Sequence, residues 1–386
     1  MSDERRLPLE GIRVIEFSHM VMGPTCGMVL GDLGAEVIKV EPPGGDRTRN
    51  LPGLGIGFFR AFNRNKKSIV LDLKDSESLE TARELIGECD VLLENFRPGL
   101  MQSYGLDYDN LKTDFPRLIY VSHKGFLPGP YENRVALDEV VQMMGGLSYM
   151  TGPVDQPLRV GTSVNDIMGG MFGAIGVLAA LWERQTTGRG QEIQSALFEN
   201  CTFLVSQHMQ QFMMSGEAPP PMSARVSAWS VYDIFNLAEG EQLFIAAVSD
   251  RQFDSLCEVL ERPDLKEDPD FVDNASRVHV RPKLLQVLGE ILVHHRADEL
   301  AKKLEAVGLP YAPVTRPDQL VDDIHLRASG GLSPITTENG DQSETVLLPL
   351  LMNNHRLGAY RALAKAGEHT EDVLSELRSS KTKQVS

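Results

Sequence analysis

The residues that point most clearly to a chemical reaction lie in the segment 161–176, which reads GTSVNDIMGGMFGAIG. Asp166 stands where an apolar, glycine-punctuated helix is expected to begin. Its carboxylate would lie near unpaired backbone N–H groups and the positive end of a helix dipole. Gly169 and Gly170 follow one turn later and leave room for a bulky group. A poised carboxylate beside open space suits covalent acyl transfer, although this segment alone favours a plain helix N-cap, which Asp prefers.

The elements expected to position this segment begin with a β-α-β pattern. Apolar spacing predicts a strand over Ile12–Phe17, a helix over Thr25–Leu33 and a strand over Glu36–Val40. Further elements are predicted at 68–73, 76–87, 91–93 and 118–121. Because β-α-β units build parallel sheets, we predict an α/β fold with a Rossmann-like large domain. The GxGxxG fingerprint is absent after the first strand, so binding of NAD or FAD has weak support.

The second half of the chain is predicted to be helical at first and mixed later. One helix over Val164–Gln185 ends at TTGRGQ (186–191), and a single long helix covers Ala196–Ser215. The clearest linker is GEAPPP at 216–221. We therefore expect three parts: a large Rossmann-like domain (1–221), a smaller α+β domain (222–330), and a C-terminal segment (331–386) that returns to the large domain.

Composition and charge narrow the classes of partner. The chain has 386 residues and a formal net charge of −16, which disfavours nucleic acid or an anionic membrane as a partner. The N-terminal residues MSDERRLPLEG lack the apolar core of a signal peptide. The longest apolar run, near Met171–Trp182, is too short to span a bilayer. These features predict a soluble, cytoplasmic protein.

One basic region stands out from this acidic background. Between Lys39 and Lys74 the sequence has eight basic residues against three acidic ones. Such an island suits a polyanionic small molecule, such as a nucleotide-bearing cofactor, and an ordinary solvated face is the alternative. The four cysteines lie far apart with no CxxC, and the histidines are scattered, so we expect reduced thiols and no metal site.

Several long, collinear motifs carry a family resemblance across nearly the whole chain. They are GDLGAEVIKVEPPGGDRTR (31–49), NRNKKSIVLDLK (63–74), DVLLENFRPG (90–99), the Asp166 segment, TTGRGQ (186–191), LPYAPV (309–314) and EHTEDVL (368–374). With these motifs the chain resembles the class III CoA-transferases of the CaiB/BaiF family. That family includes formyl-CoA transferase, carnitine CoA-transferase and α-methylacyl-CoA racemase.

The resemblance implies an architecture and a covalent mechanism. Two chains would form a homodimer of interlocked rings, and Asp166 would be the catalytic nucleophile. It would form a mixed anhydride with the acyl group of an acyl-CoA and then an enzyme–CoA thioester. A carboxylic acid acceptor would finally take the CoA, and no cofactor would be permanently bound. An ionised Asp166 would need no general base, and helix N-terminal amides near it could stabilise oxyanions.

The resemblance also implies a set of CoA-contact residues in the large domain. They are Val21, Met22, Leu71, Asp72, Leu73, Lys74, Asn95, Phe96, Arg97, Arg134, Val135, Ala136 and Leu137. Relatives often have Arg where this chain has Pro42 and Ser103, so Arg47, Arg49 or Arg97 could supply those charges. The family's glycine-rich loop is not evident, since residues 222–232 read MSARVSAWSVY.

Other activities remain open from the sequence alone. The racemase branch uses a His base where this chain has Leu137, with an acidic partner near Asp250, and His123 is expected to be structural or to line a substrate pocket. A CoA-binding protein without turnover and a nicotinamide oxidoreductase are the further alternatives. Arg134 and Lys124 lie in segments near the expected acyl pocket, where either could pair with the second carboxylate of a dicarboxylic acid.

Overall fold

The computed structural model describes residues 6–225 and 227–385. Two parts of the sequence analysis lie outside the described residues. They are residues 1–5, used in the prediction that a signal peptide is lacking, and Val226, which belongs to the segment 222–232. The chain divides into two compact units. One comprises the chain up to Ala224 together with the chain from His325 onward, and the other comprises Arg225–Ile324.

The larger unit is built on a parallel sheet with strand order β3-β2-β1-β4-β5-β6. Its strands are β1 (Arg13–Phe17), β2 (Glu36–Glu41), β3 (Lys66–Val70), β4 (Val91–Glu94), β5 (Ile119–Lys124) and β6 (Glu192–Ala196). The predicted α/β fold with a parallel central sheet is therefore confirmed. The order of strands reverses between β1 and β4, and ligands of open α/β sheets bind in the crevice at that point.

The helices of this unit connect and cover the strands. They are α1 (Met22–Asp32), α2 (Ile56–Phe62), α3 (Ser76–Gly87), α4 (Leu100–Ser103), α5 (Tyr108–Leu111), α6 (Asp138–Met144), α7 (Leu147–Thr151), α8 (Val164–Thr187), α9 (Leu197–Leu204) and α10 (Ser206–Ser215). Short 3-10 helices lie at Arg47–Asn50, Gly53–Gly55 and Met222–Ala224.

Both faces of the parallel sheet are buried, because successive strand residues point to opposite sides. Ile15 and Phe17 of β1 pack with α3 and the C-terminal helix on one face. Val14 packs with α1 and α8 on the other face. This two-sided burial explains why the strands read as nearly continuous apolar runs in the sequence.

The smaller unit contains an antiparallel sheet with order β7-β8-β9. Its strands are β7 (Val231–Asn236), β8 (Gln242–Ala247) and β9 (Tyr311–Pro313), and its helices are α11 (Asp250–Val259), α12 (Asp264–Glu267), α13 (Asn274–His279), α14 (Arg281–Leu292) and α15 (Ala297–Ala306). Short 3-10 helices lie at Ala238–Gly240, Pro269–Phe271 and Pro317–Asp322. Its apolar core includes Val231, Ile245, Leu256, Leu284 and Leu300.

The C-terminal part of the chain completes the larger unit. It contains α16 (Ile324–Ala328), β10 (Leu332–Thr336), β11 (Gln342–Val346), β12 (Leu351–Met352), β13 (His355–Arg356) and α17 (Thr370–Val385). The last helix packs beside the parallel sheet through the buried side chains of Val373 and Leu377.

One predicted helix is wrong in extent. The sequence predicts a single helix over Ala196–Ser215, but Ala196 is the last residue of β6 and pairs with Lys124 of β5. The remaining residues form two helices that meet at Val205, whose φ of −95° and ψ of 7° interrupt the regular helix. Pairing with a strand that is distant in sequence decides the first boundary, and a local apolar pattern does not contain that information.

Helix α8 is longer and more apolar than the sequence analysis allowed. Val164–Thr187 has the length and composition of a possible membrane span, in contrast to the prediction that no run is long enough. Ile167, Met168, Gly169 and Gly170 extend the apolar run on the N-terminal side of Met171. One side of α8 packs on α1, β5 and β6 in the manner of a core helix. Gly188 ends the helix in the left-handed conformation, with φ of 68°.

Close contact between α8 and α1 requires glycine at position 170. A Cβ atom there would lie 2.5 Å from the Met22 carbonyl oxygen and 2.6 Å from Thr25 Cβ. Backbone on the opposing helix cannot move away cheaply, so the small residue fixes the separation of the two helices.

We expect Gly170→Ala to lower the free energy of unfolding by about 1–3 kcal/mol, because the methyl group overpacks the α1–α8 contact. Gly57→Ala in α2 is the matched control, since a Cβ atom there meets nothing within 4 Å. The control should gain about 0.5–1 kcal/mol from reduced backbone freedom. Urea unfolding followed by circular dichroism measures both, and equal stability of the two variants would contradict the packing argument.

Candidate active site

Two loops meet at the crevice where the strand order reverses. One follows β1 and the other follows β4, and Asn95 ties them together. Its side-chain oxygen accepts a hydrogen bond from His19 N at 3.0 Å, and its side-chain nitrogen donates to His19 O at 2.7 Å. The His19 ring stacks on Phe96 with 5.9 Å between ring centroids. The structure therefore brings the segment beginning at Asn95 next to the loop that leads into Val21 and Met22.

The CoA-contact residues expected from the sequence differ in their exposure to solvent and in their distance from the crevice. Val21 and Met22 are buried, with 1% and 4% of the residue exposed, so they offer a ligand little surface. Arg97 is exposed at the crevice. Leu71–Lys74 follows β3, which lies two strands from β1, or about 10 Å along the sheet. Within that segment Leu71 is buried and Lys74 is exposed.

Asp166 lies in the first turn of α8, but it is not the N-cap. The N-cap residue is Ser163, and its side chain makes no capping hydrogen bond. The cap comes from α6 instead: Asp138 Oδ2 accepts hydrogen bonds from Asn165 N at 2.9 Å and from Asp166 N at 3.2 Å. The expectation that these amides are available to stabilise an oxyanion is therefore wrong, because a buried carboxylate already occupies them.

The capping carboxylate is itself held in place by Gln142. Its side-chain nitrogen donates to Asp138 Oδ1 at 2.6 Å, and its side-chain oxygen accepts from Val160 N at 2.8 Å. Both Asp138 and Gln142 are buried, at 7% and 0% exposure. This chain of hydrogen bonds fixes the start of α8 and hence the position of Asp166.

Burial and the nearby Asp138 carboxylate raise the pKa of Asp166 to about 7. Burial has the larger effect, since it penalises the charged form, and the like charge on Asp138 adds to it. Asp166 therefore ionises at a higher pH than an ordinary aspartate. A perturbed carboxyl group beside a ligand crevice is typical of a catalytic group.

The face of α8 that carries Asp166 meets the loop after β1. Gly169 and Gly170 are three and four residues beyond Asp166, so they lie on its side of the helix. A Cβ atom on Gly169 would lie 2.2 Å from Met22 Cε. Met22 therefore packs on α8 one turn beyond Asp166, so the structure brings the predicted CoA-contact residue Met22 to the helix that carries the predicted nucleophile.

The segment Arg134–Leu137 leads directly into the capping residue of α6. The Arg134 guanidinium lies over the ring of Tyr131, 4.9 Å from its centroid, and 5.9 Å from that of Phe126. Val135 and Leu137 are exposed, at 88% and 63%. The segment thus presents one cation and two apolar side chains next to the start of α6.

Lys124 lies at the carboxyl end of β5 and lines a polar cavity of about 220 Å³. Glu94, Phe96 and Arg97 also line this cavity. Burial raises the pKa of the Glu94 carboxyl group, although a hydrogen bond from Ser122 and the nearby Lys124 oppose the change. The cavity combines a cation, a buried carboxyl group and a ring beside the crevice.

The basic island between Lys39 and Lys74 is mostly neutralised inside the larger unit. Six of its eight basic residues form ion pairs, which are Lys39–Glu16, Arg49–Glu41, Arg60–Glu338, Arg64–Asp32, Lys66–Glu16 and Lys67–Glu36. The basic island as a whole is therefore neither a binding site for a polyanion nor a surface exposed to solvent. Arg49 in particular is committed to Glu41 and Ala364 O. Most of the pairing acids lie outside the counted segment, so local charge counting could not find them.

The other candidate side chains do not form a second reactive group. His123 is buried, its pKa falls to about 4 because of burial, and its Nδ1 lies 3.2 Å from Glu94 O, which fits the structural role. Asp250 in the smaller unit pairs with the buried Arg277. Among the described residues no group of three or more His, Cys, Asp and Glu could hold a metal ion.

Sequence reasoning missed two contributors to the site. His19 directly follows the first strand at the point where crevice loops begin, so strand-end position was the available signal. Asp138 acts as the cap of a helix that begins 26 residues later, and no pattern of short range reports such a pairing. Only the tertiary structure shows that Asp138 caps α8.

Comparison with known proteins places these features in a family. The profile described as CoA-transferase family III matches residues 9–370. A succinate–glutarate CoA-transferase from Agrobacterium fabrum is 33% identical over 97% of this chain and 96% of its own length. A succinyl-CoA:mesaconate CoA-transferase from Haloarcula hispanica is 32% identical, over 95% and 96% respectively. The crystal structure of a CaiB/BaiF family protein from Brucella suis has a TM-score of 0.88 at 33% identity, covering 97% of this chain and 100% of that chain.

We expect Asp138→Asn to lower the pKa of Asp166 from about 7 by about 1 pH unit, because it removes the like charge while the amide oxygen can still cap α8. Asp166 would then ionise at lower pH. The measurement is ¹³C NMR of labelled aspartate, with Asp166→Asn to assign the signal. Glu183→Gln, at the far end of α8, is the control and should leave the pKa unchanged. An unaltered pKa in Asp138→Asn would show that the two carboxyl groups are not coupled.

Proposed function

Because the chain belongs to CoA-transferase family III, an enzyme family of EC class 2.8.3, we propose that it moves coenzyme A from an acyl-CoA donor to a carboxylic acid through covalent adducts on Asp166. The observation that carries this proposal is the partly buried carboxyl group of Asp166. It lies in the first turn of α8, with a raised pKa and with Met22 packed on the next turn of the same helix.

The first half of the proposed reaction transfers CoA to the enzyme. The Asp166 carboxylate attacks the thioester carbonyl of the donor, the C–S bond breaks, and CoA leaves as a thiolate. The product is a mixed anhydride between Asp166 and the donor acid. The thiolate then attacks the aspartyl carbonyl, the donor acid leaves as a carboxylate, and an aspartyl–CoA thioester remains.

The second half passes CoA to the acceptor. The acceptor carboxylate attacks the aspartyl thioester and again displaces the CoA thiolate, giving an anhydride between Asp166 and the acceptor. The thiolate attacks the acceptor carbonyl, which forms the new acyl-CoA and regenerates the Asp166 carboxylate. No proton is gained or lost over the cycle, so no general base is required.

The environment of Asp166 suits both of its roles. A carboxylate whose pKa is raised to about 7 is more basic than an ordinary one, which favours attack on the thioester. Since only the ionised form attacks, the rate should rise with pH through about 7. Asp138 occupies the amides of Asn165 and Asp166, so the developing oxyanions would be stabilised by other groups.

We propose that CoA lies in the crevice between the loops after β1 and β4. The exposed cations Arg47, Lys74 and Arg97 have no ion-pair partner among the described residues, so they are available to the CoA phosphates. Asn95 and Phe96 would contact the nucleotide part through their positions beside His19. The backbone of Val21–Met22 would pass beside the thiol, and the segment 134–137 would border the acyl group.

The acceptor in this proposal is a dicarboxylic acid. Arg134 presents an exposed guanidinium above Tyr131, and Lys124 lines the neighbouring polar cavity. The named substrates of the relatives from Agrobacterium fabrum and Haloarcula hispanica, succinate, glutarate and mesaconate, are dicarboxylic acids. A cation on the pocket wall would bind the carboxylate that does not react.

An exposed apolar surface supports the proposed interlocked homodimer. Helices α8, α9 and α10 expose large side chains, including Ile175, Trp182, Phe203, Met213 and Met214, with Trp182 exposed at 75% and Met214 at 80%. Apolar area of this kind usually marks an interface. The interlocked-ring topology of the dimer is what the family resemblance implies. We also propose a cytoplasmic location, as expected from the sequence.

The racemase alternative lacks its essential base. Leu137 stands at the position where the racemase branch has His, and its aliphatic, 63% exposed side chain cannot accept a proton. The sequence feature that separates a transferase from a CoA-binding protein without turnover is Asp166 itself. The relatives' names give no support to a nicotinamide oxidoreductase.

Incubation of the protein with succinyl-CoA and hydroxylamine should trap an aspartyl hydroxamate at Asp166, because hydroxylamine attacks both the anhydride and the thioester. Peptide mass spectrometry identifies the modified residue. Asp166→Ala should lose the adduct and lower kcat by about 1,000-fold or more, whereas Glu183→Gln should retain both. Undiminished transfer by folded Asp166→Ala protein would rule out the covalent proposal.

Arg134→Ala should raise the KM for a dicarboxylic acceptor by about tenfold or more and leave the KM for an acyl-CoA donor that has no free carboxylate nearly unchanged, because only the acceptor then loses an ionic contact. Steady-state kinetics with glutarate and with its monocarboxylic analogue butyrate separate charge pairing from apolar contact. Arg117→Ala is the control, since that side chain donates to Gly188 O away from the crevice. Equal KM values in Arg134→Ala and wild type would exclude this pairing.

A further inference from the structure

A group of charged side chains is buried beneath the loop that packs against α8. Glu16, Lys39, Asp46 and Lys66, which we call the buried lysine cluster, have exposures of 0%, 1%, 4% and 2%. Three of them come from adjacent strands, β1, β2 and β3, and Glu16 is directly opposite Lys39 in the ladder. Burying four charges is costly even when they are paired, so their arrangement needs a reason beyond stability.

Both lysines of the cluster bind carbonyl groups in residues 18–24, which comprise the loop after β1 and the first three residues of α1 and which we call the Ser18–Pro24 loop. Lys66 Nζ donates to Glu16 Oε1 at 3.0 Å, to Asn63 Oδ1 at 3.1 Å and to Pro24 O at 2.9 Å, which uses all three of its protons. Lys39 Nζ contacts Asp46 at 3.0 Å and donates to Ser18 O at 2.6 Å. The two ammonium groups therefore hold the loop at its two ends.

The loop between these anchors is the one that reaches Asp166. Met22 lies within it, and its side chain and carbonyl oxygen fill the space left by Gly169 and Gly170 on the Asp166 side of α8. The next turn of α1 is equally tight, because a Cβ atom on Gly27 would lie 1.9 Å from Glu16 Oε2. The cluster, α1 and the first turns of α8 therefore form one continuous packed path.

We propose that the Lys66 ammonium is a positioning residue for CoA transfer: in its charged form it holds the Ser18–Pro24 loop, and with it Met22, against α8 beside Asp166. This inference rests on the proposed function of Asp166. When Lys66 loses its proton, the ion pair with Glu16 is lost and the hydrogen bond to Pro24 O is weakened. The loop then loosens and the rate of transfer falls.

The charge on Lys66 is expected to be lost within an accessible pH range. Burial lowers its pKa to about 8, although the Glu16 carboxylate acts in the opposite direction. The groups that face it are Glu16 on β1, Lys39 on β2 and Cys26 on α1, and burial raises the pKa of the Cys26 thiol so that it stays neutral. Activity should therefore fall as the pH rises through about 8, on the alkaline side of the Asp166 ionisation.

Three variants test the proposal through the pH dependence of kcat. Lys66→Met should lower kcat by up to about 100-fold through misplacement of the loop and should abolish the alkaline decline. Glu16→Gln should move the decline to lower pH, because it removes the charge that raises the pKa of Lys66. Lys67→Met is the control, since Lys67 pairs with Glu36 outside the cluster. A merely structural role would lower the melting temperature without these changes in pH profile.

Hydrogen exchange measured by mass spectrometry tests the loop without reference to activity. In the wild type, protection of residues 18–27, corrected for intrinsic rates, should fall as the pH rises from 7 to 9. In Lys66→Met it should be low throughout. Helix α14 serves as the internal control for folding and should not change.

An alkaline decline that persists in Lys66→Met, a decline that does not move in Glu16→Gln, or exchange of residues 18–27 that does not depend on pH would overturn the proposal. If no acyl-CoA modifies Asp166, the proposed function fails, and the exchange experiment still decides whether Lys66 holds the loop. The two failures are therefore distinguishable.

Discussion

The capping of α8 by a carboxylate from another helix is the interaction on which the proposed site depends. Asp138 Oδ2 accepts the amide protons of Asn165 and Asp166. This one contact fixes the start of α8 in space. It also places a negative charge beside Asp166 and so contributes to the pKa of about 7. The Asp138 carboxylate thus couples the geometry of α8 to the reactivity expected of Asp166.

Close packing extends this control to the crevice that we propose binds CoA. The glycines at 169 and 170 let α1 approach α8 until Met22 lies against the helix backbone. The opposite side of α1 rests on Glu16 and Lys66, which are themselves buried. Because a packed interior transmits small displacements, groups that never touch the substrate can still set the position of those that do.

Much of the fold could be predicted from local patterns. The β-α-β order, the parallel sheet and the glycine that ends α8 are encoded in apolar spacing and in residues with special backbone preferences, and all are confirmed. Helix boundaries at β6 and Val205 were wrong, because strand pairing at β6 depends on a partner elsewhere in the chain. Membership of the CoA-transferase family is also confirmed, since long collinear motifs carry it. The division into domains and the roles of the site residues stay predictions.

The sequence by itself determined the class of fold, the family and the residue proposed as nucleophile, because each is written in contiguous residues such as the segment around Asp166. Only the tertiary structure decided the environment of that residue. It showed that the amides of Asn165 and Asp166 are occupied, that burial raises the pKa of Asp166, and that most of the basic island is paired inside the protein. These properties depend on burial and on charges such as Asp138 and Glu16 that come close only after folding.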